Sequence, residues 1–221
     1  MIVRMRDDDV LLKSSTWSKP FLRFKELHEY MTQTPKIIHV PALLYKESQH
    51  FGSELVDYIK QETKLHRIQP EIHGYEHINY GTRVRGGPGG PKDSPPETWT
   101  PEEVEAAKNW VREEIKFTRD WITETFGRAP KFWYTPWGAN QSHLYEVAKE
   151  LGLILVDCTA NFAPIENVCE KLRNKTTTIE RLDGMEVFFH WWSRGNRVHR
   201  LTRAIQYGSW DEAAKRFTKL F

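Results

Sequence analysis

The chain lacks most of what marks several common classes of protein. It has only two cysteines in 221 residues, Cys158 and Cys169. They are not in CxxC spacing, so a disulfide framework or zinc finger is not expected, and reduced thiols without a catalytic part are. Net charge is almost absent: 32 Lys and Arg stand against 30 Asp and Glu, a formal +2. The basic residues are scattered, so nucleic acid is not an expected partner. No 18-residue apolar run occurs, and the start Met1 to Arg6 turns acidic before any apolar stretch of secretory-signal length. Neither a membrane span nor export is therefore expected, and the sequence reads as soluble and cytoplasmic. Low-complexity tracts and internal repeats are also missing, which excludes disordered and solenoid architectures.

What remains is a chain that is 39% hydrophobic and 13% aromatic, with nine Trp. That is enough for one sizeable core, and residues 1–221 read as a single domain. Rings in this number serve carbohydrate sites as stacking platforms, and they also serve large cores.

Periodicity alternates between strand and helix along the whole length. Residues 2–6 read as a strand running into the acidic cluster Asp7-Asp8-Asp9, 21–31 as a helix and 36–41 as a second strand. A helix follows at 53–62, a strand at 68–72 and a Gly- and Pro-rich loop at 83–97. That loop is open to two readings, a lid or a loose surface excursion. Thr100, Pro101 and Glu103 form a strong helix start with the parts of a capping box, and the helix runs to about Phe126. Strands at 131–135, 153–156 and 187–190 and helices at 141–151 and 210–220 complete the pattern. Such alternation implies a parallel sheet with helices outside, either doubly wound or closed into a barrel, with its site beyond the C-terminal strand ends.

Chemistry-bearing residues fall at those ends. His73-Gly74-Tyr75-Glu76-His77 has H-x-x-x-H spacing, which on one helical turn would point two imidazoles at one metal ion; the alternative is a solvated surface pair. Two neutral imidazoles call for an anionic oxygen ligand, and the Asp7-Asp8-Asp9 run offers one. Three adjacent carboxylates repel one another unless a cation lies between them, although a solvated turn would also accommodate them. Phe132 to Asn140 reads as a strand, a Pro and Gly turn and the start of a helix. His190 ends an apolar strand, where it is either a proton donor to a leaving group or a buried structural histidine.

In order and type these motifs resemble those of the polysaccharide deacetylase (NodB-homology, family 4 carbohydrate esterase) family, over roughly Ile2 to Trp192. The family's T-F-D-D-G is similar to Met5-Arg6-Asp7-Asp8-Asp9, which implies Asp7 as catalytic base and Asp8 as metal ligand. A shift by one residue would make Asp8 the base and Asp9 the ligand. H-[ST]-x-x-H matches His73 to His77 and implies both histidines as ligands. R-x-P-x-G is similar to Tyr134-Thr135-Pro136-Trp137-Gly138, with Tyr134 in place of the Arg that steadies the base. Tyr134, Pro136, Trp137 and Gly138, with Trp191, are the implied substrate-binding set. L-x-H resembles Phe188-Phe189-His190 and implies His190 as general acid, with Asp157 near the place of the family's fourth motif.

The resemblance further implies an irregular (β/α) barrel of about seven parallel strands, and a divalent ion, Zn2+ or else Co2+, Ni2+ or Mn2+. The implied reaction is removal of an N- or O-acetyl group from a saccharide. Two other functions remain open on the sequence: hydrolysis of another C–N bond on the same fold, and carbohydrate binding without catalysis.

Overall fold

The structure is a computed structural model that describes residues 3–10, 21, 24–25, 28–29, 37–49, 53–87, 90–156 and 186–190; for 3–5, 8–10, 37 and 186–190 it describes the backbone alone. Asp157, Cys158, Cys169, Trp191 and the expected helix at 210–220 lie outside the described residues. The strands are β1 (Val3–Val10), β2 (Ile37–Leu44), β3 (Glu71–Gly74), β4 (Arg83–Val84), β5 (Lys92–Asp93), β6 (Phe132–Tyr134), β7 (Ile154–Val156) and β8 (Glu186–His190). The helices are α1 (Tyr45–Ser48), α2 (Ser53–Lys64), α3 (Pro101–Phe126) and α4 (Ser142–Glu150), and residues 21, 24, 25, 28 and 29 are also helical.

Six strands form one sheet in the order β7-β6-β3-β2-β1-β8, and every pairing is parallel. Read across the sheet, that order follows the chain cyclically. A doubly wound sheet would reverse direction at a switch point, so the arrangement is that of a (β/α) barrel wall.

One face of the sheet packs on helices through Leu43, Ile72 and Trp133 of the strands, Leu55 and Ile59 of α2, Val111, Ile115 and Ile122 of α3, and Leu144 and Val147 of α4. The other, inner face carries a smaller cluster of strand residues: Val40, Ala42 and Tyr134, flanked by Ile38, Phe132 and Val156. Successive strand residues alternate between these faces.

Helix α3 forms as its sequence dictates. Thr100 Oγ1 accepts from the Glu103 N–H, and the Glu103 carboxylate accepts from the Thr100 N–H, completing the capping box. The buried stripe Ala107, Val111, Ile115, Thr118, Ile122 and Phe126 repeats every three or four residues, and the helix stops at Gly127 in a left-handed conformation (φ 70°). No described helix is both long and apolar enough to cross a membrane.

Four expectations are corrected. The acidic cluster lies inside β1 and not beyond its end. Strand pairing on both sides, with β2 and β8, overrides the poor strand propensity of aspartate. The third strand starts at Glu71, and Ile68 contributes only an isolated bridge to His39. The segment 83–97 is not a structureless loop: β4 and β5 pair antiparallel and Pro96–Thr98 forms a 3-10 turn. The hairpin is held by Arg83 on Asp93 (2.9 Å) and Lys92 on Glu103 (2.5 Å). Finally, the residues that follow His73 form a bend and not a helical turn.

The helix-facing layer also holds a row of buried ionisable groups. Asp7 is fully buried, with its Oδ2 3.5 Å from His39 Nε2. His39 Nδ1 lies 3.2 Å from His28 Nδ1, and His28 Nε2 lies 3.0 Å from Glu62, which Arg67 grips at 2.6 Å. One of the two Nδ1 atoms must donate and the other accept, so both rings cannot be imidazolium while that bond persists. Burial, reinforced by the neighbouring His28, holds His39 well below its ordinary value of 6.5. Burial also lowers His28, against the opposing pull of Glu62.

Two outcomes follow from this architecture. Thr100→Ala removes the capping box and should cost about 1 kcal/mol in urea unfolding; no change in midpoint would mean that α3 is held by packing alone. The unfolded chain takes up protons at His28 and His39 as the pH falls through 6.5, while the folded chain resists. Stability present above that pH should therefore decline below it. His39→Gln should flatten the decline between about pH 6.5 and 5.5, as read from thermal midpoints; an unaltered slope would exclude this row as its source.

Candidate active site

The site begins with His73. Its neighbour Ile72 belongs to the helix-facing core, so alternation turns His73 to the inner face, beside Tyr134. There His73 Nδ1 lies 2.6 Å from the Tyr134 carbonyl oxygen. A carbonyl only accepts, so Nδ1 carries the proton and the ring's lone pair sits on Nε2. This is the device that fixes the tautomer of metal-ligating histidines.

The chain then bends at 75–78 and brings the His77 ring to 5.4 Å from the His73 ring, centroid to centroid. Gly74 allows the turn, since a Cβ there would meet the Glu76 carbonyl oxygen at 3.0 Å and the Tyr80 ring at 3.1 Å. The Tyr80 hydroxyl accepts the N–H groups of Tyr75 (3.0 Å) and Glu76 (3.3 Å) and donates to Glu114 (3.1 Å). Burial pushes the Glu76 carboxyl upward, but hydrogen bonds from Lys46 and Arg85 outweigh it and leave Glu76 below the usual range.

Beyond β6, Thr135 Oγ1 donates to the Ala139 carbonyl (2.6 Å) and closes the Pro136–Gly138 turn. Trp137 sits there in a left-handed backbone (φ 60°, ψ 13°) that residues other than glycine seldom adopt, at a cost of about 1–3 kcal/mol. It is 70% exposed, with its ring 5.3 Å from that of His77. The strain thus presents an indole beside the imidazole pair. Pro136 is buried, and Gly138 takes a positive φ of 65°.

β1 carries the three consecutive aspartates. Arg6 pairs with Val40 and shares the inner face; its guanidinium lies 4.3 Å above the Tyr134 ring. Asp7 belongs to the opposite, helix-facing side beside His39 and so does not join His73. Past Asp7 the pairing slips: Asp7 is opposite Pro41 but Val10 is opposite Leu43, so positions 8 and 9 together stand opposite Ala42 of the inner cluster. Such a bulge sets two consecutive positions against one. Pro41, which has no N–H for a ladder, lies next to the slip. On the other side, Asp8 is in register with His190. The side chains of Asp8, Asp9 and His190 lie outside the described residues.

The described residues fit a divalent ion as far as they go. Two imidazole rings lie 5.4 Å apart at an interplanar angle of 37°, one with its tautomer fixed by a backbone carbonyl, and the bulged acidic positions lie on a neighbouring part of the same sheet. Among the described residues no group of three His, Cys, Asp or Glu side chains converges as a metal site. The Arg6 stack and the His39–His28–Glu62 row carry no sequence signal, because their partners are far apart in the chain and joined only by the sheet.

No protein-family profile and no curated protein sequence matches the chain. Solved structures do. A family 4 carbohydrate esterase from Streptomyces lividans in complex with acetate matches with a TM-score of 0.55 at 14% identity, over 99% of this chain and 88% of that one. A mutant of a family 4 carbohydrate esterase pseudoenzyme, with restored enzymatic activity, matches at 0.53 and 13% identity, over 99% of this chain and 62% of that one. The wild-type pseudoenzyme is from Bacillus anthracis, and this chain covers 60% of it. The chain thus spans about three fifths of the length of both forms of that protein. A 4-alpha-glucanotransferase from Thermococcus litoralis matches at 0.59 and 10% identity, over 99% of this chain and 37% of that one. At such identities the likeness is one of fold: the chain has the NodB-like (β/α) barrel of the family 4 carbohydrate esterases.

Proposed function

We infer that this chain is a metal-dependent hydrolase that removes an acetyl group from a saccharide. The observation that carries the reading is the His73–His77 pair, with Nδ1 of His73 committed to the Tyr134 carbonyl, on the same sheet face as the bulge at positions 8 and 9. The fold likeness to a carbohydrate esterase supports it. The ion, zinc in this reading with cobalt, nickel or manganese as substitutes, supplies Lewis acidity toward the acetyl carbonyl and makes water easier to deprotonate.

The chain's own residues do the rest. The bulge favours the second of the two registers, with Asp8 as the base that takes the proton from the attacking water and Asp9 as the acidic ligand beside His73 and His77. Asp7 is left to the helix layer. His190, in register with Asp8, gives a proton to the departing nitrogen or oxygen as its bond to the acyl carbon breaks, so acetate leaves on one side and the free amine or alcohol on the other. The exposed Trp137 indole offers a flat face for a pyranose ring, and Pro136 and Gly138 hold it there.

A second reading is a saccharide-binding protein without catalysis. It is favoured by Tyr134 in the motif's Arg position and by the pseudoenzyme among the fold's relatives.

The decisive experiment is elemental analysis of wild type and His73→Ala together with acetate release from an N-acetylglucosamine oligomer. The expected result is about one divalent ion per chain, lost in the variant along with acetate release. A metal-free wild type that still binds the oligomer would establish the second reading instead.

A further inference from the structure

The bend that joins His73 to His77 has no strand ladder or helical bonding of its own, so something else must set its shape. Glu76, 8% exposed and one residue before His77, is where the constraints converge. Its Oε2 accepts from Lys46 Nζ of α1 at 2.7 Å, and its Oε1 accepts from an Arg85 amino group next to β4 at 2.5 Å. Arg85 lies in turn 3.5 Å from Glu114 of α3, with its guanidinium 4.9 Å from the Trp110 ring. Glu114 accepts from the Tyr80 hydroxyl, and that hydroxyl accepts from the backbone N–H of Glu76.

The circuit closes on itself: Glu76 carboxylate, Arg85, Glu114, Tyr80, Glu76 backbone. On the other side, the Lys46 N–H donates to the Tyr75 carbonyl at 2.7 Å and ties the bend to the end of β2.

We propose that Glu76 is a positioning residue for the imidazole pair: gripped by Lys46 and Arg85, it fixes the 75–78 bend at the spacing where His73 and His77 face one ion. This rests on the reading of that pair as a metal site. Two oxygens of one carboxylate pull toward two different elements, so the bend is held from both sides. The hairpin β4–β5 thereby acts as a strap on the site. A charge-assisted bond to a mostly buried carboxylate is among the stronger polar contacts, and outer-shell groups of this kind set metal affinity without touching the ion.

The test measures Zn2+ affinity by chelator competition and the visible spectrum of the Co2+-loaded protein, with thermal midpoints as the check on folding. It uses wild type, Glu76→Gln, Arg85→Gln and His73→Ala. Glu76→Gln keeps the shape and loses the charge; it should bind Zn2+ roughly ten-fold more weakly or worse and shift the Co2+ bands. Arg85→Gln, changed outside the bend, should move both readouts the same way by less. A Glu76→Gln protein with wild-type affinity and spectrum, beside a His73→Ala protein that has lost the ion, would overturn the positioning role and leave the metal site standing. A wild type that takes up no Zn2+ would overturn both. Should Glu76→Gln fail to fold, Arg85→Gln decides: wild-type affinity there overturns the role.

Discussion

The constraint on which the rest of this structure depends is that a strand bearing an arginine and an aspartate is buried between two parallel neighbours. Arg6 and Asp7 are both fully buried, adjacent in β1, and turned to opposite faces. A buried charge without compensation costs several kcal/mol, more than most single contacts return, so each face must be built around its charge. The inner face answers Arg6 with the ring of Tyr134, whose carbonyl also orients His73. On the helix-facing side Asp7 lies 3.5 Å from His39, and the row continues through His28 and Glu62 to Arg67.

The same strand breaks its own regularity past Asp7. A perfect ladder would send Asp7, Asp8 and Asp9 to alternating faces. The slip beside Pro41 sets positions 8 and 9 against the single residue Ala42, on the face that carries His73. Backbone irregularity recurs around the imidazole pair. Gly74 turns where a Cβ would crowd the Glu76 carbonyl and the Tyr80 ring, the 75–78 bend is shaped by side chains and not by a ladder, and Trp137 holds a left-handed backbone next to His77. Regular structure supplies the wall, and strained or side-chain-held segments at the C-terminal strand ends supply the site, as barrel architecture requires.

Much of the architecture was legible in the sequence because it rests on local rules. The start and buried stripe of α3 follow from Thr100, Glu103 and the spacing of Ala107 to Phe126; α2, α4, β6 and β7 follow from periodicity of the same kind. The positions of His73, the 135–140 turn and His190 at strand ends were also legible, as was the H-x-x-x-H spacing. Other features misled. Aspartate's dislike of strands hid the length of β1, the Gly- and Pro-rich composition of 83–97 hid a hairpin strapped to α3, and helical geometry is not what brings His73 and His77 together.

The sequence by itself determined the alternating elements, the parallel α/β class and the identity of the candidate donors, since these depend on propensity, capping and spacing along the chain. Only the tertiary structure decided between a doubly wound sheet and a barrel wall, which face Asp7 turns to, where Arg6 is seated and how Glu76 is gripped. Those contacts join residues dozens of positions apart. They arise from strand register and a one-residue slip, and in a sheet with a side-chain period of two a slip of one residue exchanges the face toward helices for the face toward the site.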